Sequence, residues 1–391
     1  MKKNFILFLK LSLTTFISIM VALYLFESYL TFFEKKLGLK KIKNEYFLST
    51  GKKFDTRSRW EIYNDLKKID KNITVNISPV RHLNETNIDI FPLSGISNVE
   101  TIHCNENGYY SIYKSDRYGF NNPDKEWDSN IIEYLLLGDS YTHGACVNRP
   151  NDIASVLRNL SDKNVLNLGF SSNGPLIQYA TLKEYLSPKI KKIVWIYYAG
   201  NDLSDLGLEY KNAILNKYLN NDNFFQDLKS KQNIIDQINY KTLNNRVSSY
   251  QRDIKKNAQI KYKILKFFRL NKTKNKFKKI FSSKEYKVEN EDIFYEILKK
   301  TKILAENNNS KFYFVYLPDF NRYKDKNYSS DEEKEIKKTV NKLGIPMINI
   351  HELLFKNKNQ LEFYPFKTYL HYTVEGYKEV TKTIYKYTQG K

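Results

Sequence analysis

Short, nearly unbroken apolar runs alternate along this chain with longer segments whose apolar residues recur at helical spacing. From residue 131 onward the runs are "EYLLL" (133–137), "NVLNL" (164–168), "KIVWIYY" (192–198), "KFYFVY" (311–316) and "PMINI" (346–350). Runs of this kind predict strands buried on both faces. Helical segments such as 153–160 and 176–186 lie between them. Strands alternating with helices predict a parallel sheet with both faces covered, an α/β domain over 131–391. The third run ends at 198 and the fourth begins at 311, far beyond an ordinary crossover, so a polar helical insertion is predicted at about 204–290. Upstream, residues 34–130 are polar, tyrosine-rich and broken by turn signals such as "NENG" and "NNPD". They read as an irregular lead-in with short strands.

A different pattern opens the chain. After Lys2, Lys3 and Lys10 comes "LSLTTFISIMVALYLFESYLTFF" (11–33), in which Glu27 is the only charge. As a helix it would reach ~34 Å, enough to cross a bilayer. A cleaved signal peptide is the rival reading, because the uncharged part (11–26) is shorter. The bulky aromatic flank carries no small-residue cleavage site, which favours an uncleaved signal anchor over residues 1–33. Lysines at 35, 36, 40, 41 and 43 run against an inside amino terminus. Long domains translocate largely regardless of such charges.

Charge adds one further feature. Lys and Arg number 64 against 43 Asp and Glu, for a net charge of +21. The excess is spread along the chain, and no zinc-finger spacing, RNP-type motif or Walker loop accompanies it, so no specific nucleic-acid partner is expected. Within the insertion, "KYKILKFFRLNKTKNKFKKI" (261–280) interleaves basic residues with Ile264, Leu265, Phe267, Phe268, Leu270, Phe277 and Ile280. Such a stretch suits a membrane interface; a solvated helix packing its aromatic face on the sheet domain is the alternative. The two cysteines, Cys104 and Cys146, can form one disulfide or remain separate buried thiols. A bridge would place the domain in an oxidising compartment.

The chemistry gathers where strands end. Open α/β sheets hold their ligands at the carboxyl ends of strands. There the first strand runs into Gly138-Asp139-Ser140, the second into "NLGFSSNGP" with Gly169, and the third into "YAGND" with Asn201 and Asp202. A serine nucleophile needs a base and preorganised donors for the developing oxyanion. The backbone N–H groups of Ser140 and Gly169 and the Asn201 amide are placed to serve as donors. Of His82, His103, His143, His351 and His371, the last precedes a terminal amphipathic helix and can reach back to the first strand.

Gly138-Asp139-Ser140, then Gly169, Asn201-Asp202 and His371, in that order, resemble the four blocks of the SGNH (GDSL-type) hydrolase superfamily. "SDRYGFNNPD" (115–124) resembles a segment found ahead of the serine block in membrane-anchored bacterial relatives. The resemblance implies a flavodoxin-like three-layer α/β/α sandwich and ester hydrolysis or acyl transfer without metal or other cofactor. It implies Ser140 as nucleophile, His371 as base, and Ser140, Gly169 and Asn201 as the oxyanion hole. Asp139 and Asp202 are left as supporting turn residues. Two positions depart from the pattern: Ala199 stands where a glycine is usual, and Thr368 where an aspartate three residues before the histidine is usual. The second departure implies a Ser-His dyad, the histidine held by a backbone carbonyl.

The resulting expectation is a single-pass membrane protein with a periplasmic catalytic domain that acts on an ester-bearing substrate, an acylated envelope glycan. The alternative is a catalytically weak SGNH-fold scaffold in envelope polysaccharide assembly.

Overall fold

The computed structural model describes residues 2–85, 88–281 and 288–390. They fall into two compact units: residues 1–54 with 246–285, and residues 55–245 with 286–391. Residues 282–287 of the expected insertion lie outside the described residues.

Among its described residues the larger unit has eight strands: β1 (Thr74–Val75), β2 (Glu100–Ile102), β3 (Ile112–Lys114), β4 (Ile132–Gly138), β5 (Val165–Asn167), β6 (Ile190–Tyr198), β7 (Lys311–Leu317) and β8 (Met347–Asn349). β1, β2 and β3 form a small sheet of their own. The other five are ordered β5-β4-β6-β7-β8, and every neighbouring pair among them is parallel. Counted from its own first strand that order is 2-1-3-4-5, the flavodoxin-like arrangement. All five coincide with the apolar runs of the sequence.

Side chains alternate across a strand, and the two faces of this sheet feed two separate cores. Leu135, Leu137, Ile193, Trp195 and Phe314 enter one, which the helices Pro175–Tyr185, Asp202–Glu209 and Val288–Asn307 help to cover. Tyr134, Leu136, Val194, Ile196 and Val315 enter the other, beneath Ile153–Ser161 and Val374–Thr388. The result is a three-layer α/β/α sandwich.

The lead-in does not form a segment apart, as the sequence suggested. Residues 55–130 belong to the sheet's own unit, and Phe91, Leu93 and Phe120 lie in the same core as Leu135 and Trp195. "SDRYGFNN" is a polar scaffold around a fully buried Asp116, which accepts from Tyr118 N, Phe120 N, the Asn122 amide and the Trp127 indole. The insertion also divides. Its first part, including Ala213–Asn220, joins the sheet unit, whereas residues 246–285 join the N-terminal unit.

In that smaller unit, the helix Lys2–Tyr29 passes through a π-helical turn (Leu30–Glu34) into Lys35–Thr50. This segment is the one candidate span among the described residues, long and apolar enough to cross a membrane. The basic stretch forms two helices, Ile260–Phe268 and Asn271–Phe281, which dock on the N-terminal helix. Glu27, only 1% exposed, accepts the backbone N–H groups of Lys272 and Thr273 at 3.0 and 2.7 Å and the Thr273 hydroxyl at 2.8 Å. A carboxylate there caps the start of the second basic helix. Tyr24 adds a bond to the Phe268 carbonyl and stacks on Phe267.

Candidate active site

β4 ends at Gly138, whose φ of +153° belongs to glycine; a Cβ there would lie 2.1 Å from Thr142 Oγ1 and 2.5 Å from the Ile196 carbonyl. Asp139 turns the chain and accepts from Tyr141 N at 2.9 Å, capping the single helical turn Ser140–His143. Ser140 therefore stands at the carboxyl edge of the sheet, at the start of that turn.

His371 reaches this serine from the segment before the last helix. Its Nε2 lies 2.8 Å from Ser140 Oγ. Tyr141 holds the histidine segment by donating to the Leu370 carbonyl at 3.2 Å, its ring 4.9 Å from the imidazole. Tyr377, on the terminal helix, donates to the Ala145 carbonyl and ties the same two segments from the other side.

The imidazole has a third partner that the sequence reading missed. His371 Nδ1 lies 2.9 Å from Glu106 Oε2, and that oxygen also accepts the His371 backbone N–H at 2.7 Å. The expected dyad held by a backbone carbonyl is therefore corrected to a Ser140–His371–Glu106 chain. A carboxylate only accepts, so Nδ1 carries the proton and Nε2 is left to accept from the Ser140 hydroxyl. Thr368, at the position where an acid was sought, instead donates its hydroxyl to the Pro365 carbonyl.

Glu106 is held in place by its turn. It lies between β2 and β3 in "NENG", where Gly108 at φ +88° closes the turn and Asn105 Oδ1 accepts Gly108 N. Asn107 donates to the Cys146 carbonyl at 3.1 Å. A Cys104–Cys146 disulfide ties the turn to the segment just after Ser140. The signal available in the sequence was that pairing: a bridge from Cys104 to Cys146 brings Glu106 to the serine loop.

Electrostatics follow the geometry. Burial pulls the His371 pKa down, but the charge and hydrogen bond of Glu106, with Asp139 behind them, outweigh it and raise it above the usual imidazole value. Burial pushes the Glu106 carboxyl up, yet His371 more than compensates and holds it low. The Asp139 carboxyl is raised by burial, against the pull of the Tyr141 N–H and His371. Asp202 is raised well above the ordinary range by burial and then by Asp139, and its carboxylate accepts Tyr198 N at 3.1 Å. Asp202 thus serves a turn, whereas Asp139 both caps the serine turn and lies 3.2 Å from Ser140 Oγ through its Oδ2.

The structure brings the three expected oxyanion donors to one edge of the sheet but does not leave them equally free. Gly169 packs against the serine turn so closely that a Cβ would lie 2.5 Å from the Thr142 side chain. Its single N–H is engaged by Asn167 Oδ1 at 2.9 Å. Asn201 donates one amide hydrogen to Asp205 at 2.6 Å, which leaves the second. Gly200, beside the anomalous Ala199, faces the Tyr198 ring, where a Cβ would lie 2.2 Å from Cε1.

His143, three residues after Ser140, is not the base. It is fully buried, stacked on His103 at 4.3 Å, and its Nδ1 accepts Ser171 N at 3.2 Å. Burial lowers the pKa of both rings. One group of three metal-ligand types occurs among the described residues, Glu106, Cys146 and His371. Cys146 Sγ is in the disulfide, and the other two bond each other, so this donor set does not suit a metal.

No family model and no curated protein matches this chain. Solved structures similar to it include a lipase/acylhydrolase from Enterococcus faecalis, 12% identical over 66% of this chain and 96% of that one, with a TM-score of 0.37. An acetyl xylan esterase is 11% identical, covering 66% of this chain and 99% of its own, at 0.36. A member of the lipolytic protein G-D-S-L family from Veillonella parvula is 11% identical over 65% and 97%, at 0.35.

Proposed function

We propose that this chain is a serine hydrolase of the SGNH type, cleaving or transferring an acyl group held in ester linkage. The observation that carries the reading is the hydrogen-bonded chain from Ser140 Oγ through His371 to Glu106. Ser140 Oγ attacks the ester carbonyl carbon while His371 Nε2 takes its proton. Glu106 remains ionised, fixes the tautomer and stabilises the imidazolium. The oxyanion is met by Ser140 N–H and the second amide hydrogen of Asn201, with Gly169 N–H joining if Asn167 releases it. His371 then protonates the leaving alkoxide, and an acyl-serine remains. Water or an acceptor alcohol, deprotonated by His371, attacks that acyl group, and Ser140 regains its proton.

The N-terminal helix is proposed as an anchor, with the basic helices at the adjoining membrane surface and the catalytic unit outside the cytoplasm. The docking of those helices at Glu27, near the end of the apolar run, supports the first part. The disulfide supports the second. An acylated envelope glycan is the substrate expected at that location. The scaffold alternative rested on the absent acid at Thr368, and Glu106 removes that ground.

Fluorophosphonate labelling of the full chain in detergent tests the reading. Wild type should label, and Ser140→Ala and His371→Ala should not. A wild-type protein that stays unlabelled would refute it.

A further inference from the structure

Beyond the end of β7 and after β8 lies a cleft of about 580 Å³, within the size range of ligand sites. Arg322, Lys324, Lys326 and Lys356 line it, with Asp325 as the one acid. Arg322 is paired with Glu333. Among the described residues, Lys324, Lys326 and Lys356 form no ion pair. His351 and Tyr328 add neutral hydrogen-bonding groups, burial and then Arg322 holding the His351 pKa below its ordinary value.

A run of buried rings in contact links the triad to the edge of the cleft. From His371 the rings run through Tyr141 (4.9 Å), Tyr372 (4.7 Å), Tyr364 (5.2 Å) and Phe320 (4.9 Å), over which Lys324 Nζ sits at 5.6 Å. A second run leaves Tyr372 for Phe355 (6.0 Å) and Tyr323 (5.8 Å), whose hydroxyl bonds His351. On the surface, Tyr369 stands two residues before His371, is 52% exposed, and meets Phe320 edge-on at 5.7 Å.

We infer that this cleft is a substrate subsite for the acidic groups of an anionic saccharide whose ester lies at Ser140. The inference rests on the hydrolase reading for the ester, but not for the binding. Three unpaired ammonium groups around a concave site attract a polyanion and concentrate it beside the serine. Tyr369 offers a ring along the path between them, against which a sugar face can pack. A carboxylate or a phosphate would satisfy the same cations.

The test uses the full chain in detergent. With Ser140→Ala, calorimetric titration should detect a short oligogalacturonate or a phosphorylated maltooligosaccharide but not unmodified maltooligosaccharide, and the two acidic arms separate carboxylate from phosphate. Affinity should fall with added salt. Lys324→Glu with Lys356→Glu should weaken acidic-glycan binding about tenfold or more, and the milder Lys→Gln pair should fall between. In wild type, acetylated oligogalacturonate should show a lower KM than acetylated xylo-oligosaccharide of equal length, and the charge-reversed pair should abolish that preference. Hydrolysis of simple esters without acidic-glycan binding overturns the subsite alone. Lysine-dependent binding without any esterase activity overturns the hydrolase reading and leaves the subsite standing. Equal binding of neutral and acidic glycans also overturns the subsite.

Discussion

At the scale of single residues, Glu106 decides how His371 works. The raised pKa of His371 means that more of it is protonated near neutrality than in a free imidazole, and only the neutral ring can accept from Ser140. Activity should therefore rise with pH through a midpoint above the ordinary imidazole value of about 6.5. Glu106→Gln removes the charge that raises the pKa, so the midpoint should move down while kcat falls about 10²- to 10⁴-fold. Thr368→Ala should leave both unchanged, since its hydroxyl bonds the Pro365 carbonyl and not the imidazole. A pH profile of kcat/KM for the three proteins checks this, and a Glu106→Gln profile that overlays wild type would remove Glu106 from catalysis.

At the scale of elements, the β2–β3 turn and the serine turn act together through the disulfide. The bridge spans a sequence separation of 42, which on the chain-entropy model corresponds to about 4 kcal/mol. Cys104→Ser with Cys146→Ser should lower Tm. It should also lower kcat more than KM, because Glu106 sits two residues from the freed Cys104. A melting curve with kinetics at a temperature where the variant remains folded separates the two effects. A variant with lowered Tm and wild-type kcat would show that the turn holds Glu106 without help. The strands themselves were legible because a short unbroken apolar run needs no knowledge of distant chain. The lead-in was not. Phe91, Leu93 and Phe120 are scattered among polar turns, and only packing shows that they complete the sheet's core.

At the scale of the whole molecule, compartment and anchoring are the measurable consequences. Thiol titration of denatured, unreduced protein from its native membrane should find no free cysteine, and two free thiols would contradict the extracytoplasmic placement. The anchor predicts that the full chain stays with the membrane fraction through high salt and alkaline carbonate. Release by salt alone would leave only the electrostatic attraction of a chain of net charge +21, which is screened under those conditions.

The sequence alone determined the parallel sheet, the serine at the end of its first central strand, the histidine before the last helix and the apolar helix at the amino terminus. Each of these is written in local periodicity or in short ordered blocks, which the chain carries whatever its distant contacts. The tertiary structure alone decided which acid faces His371, since Glu106 lies 265 residues away along the chain. It likewise decided that Glu27 caps a helix starting some 245 residues later. Such pairings depend on where whole elements come to rest, and no local propensity encodes a partner whose approach is set by packing.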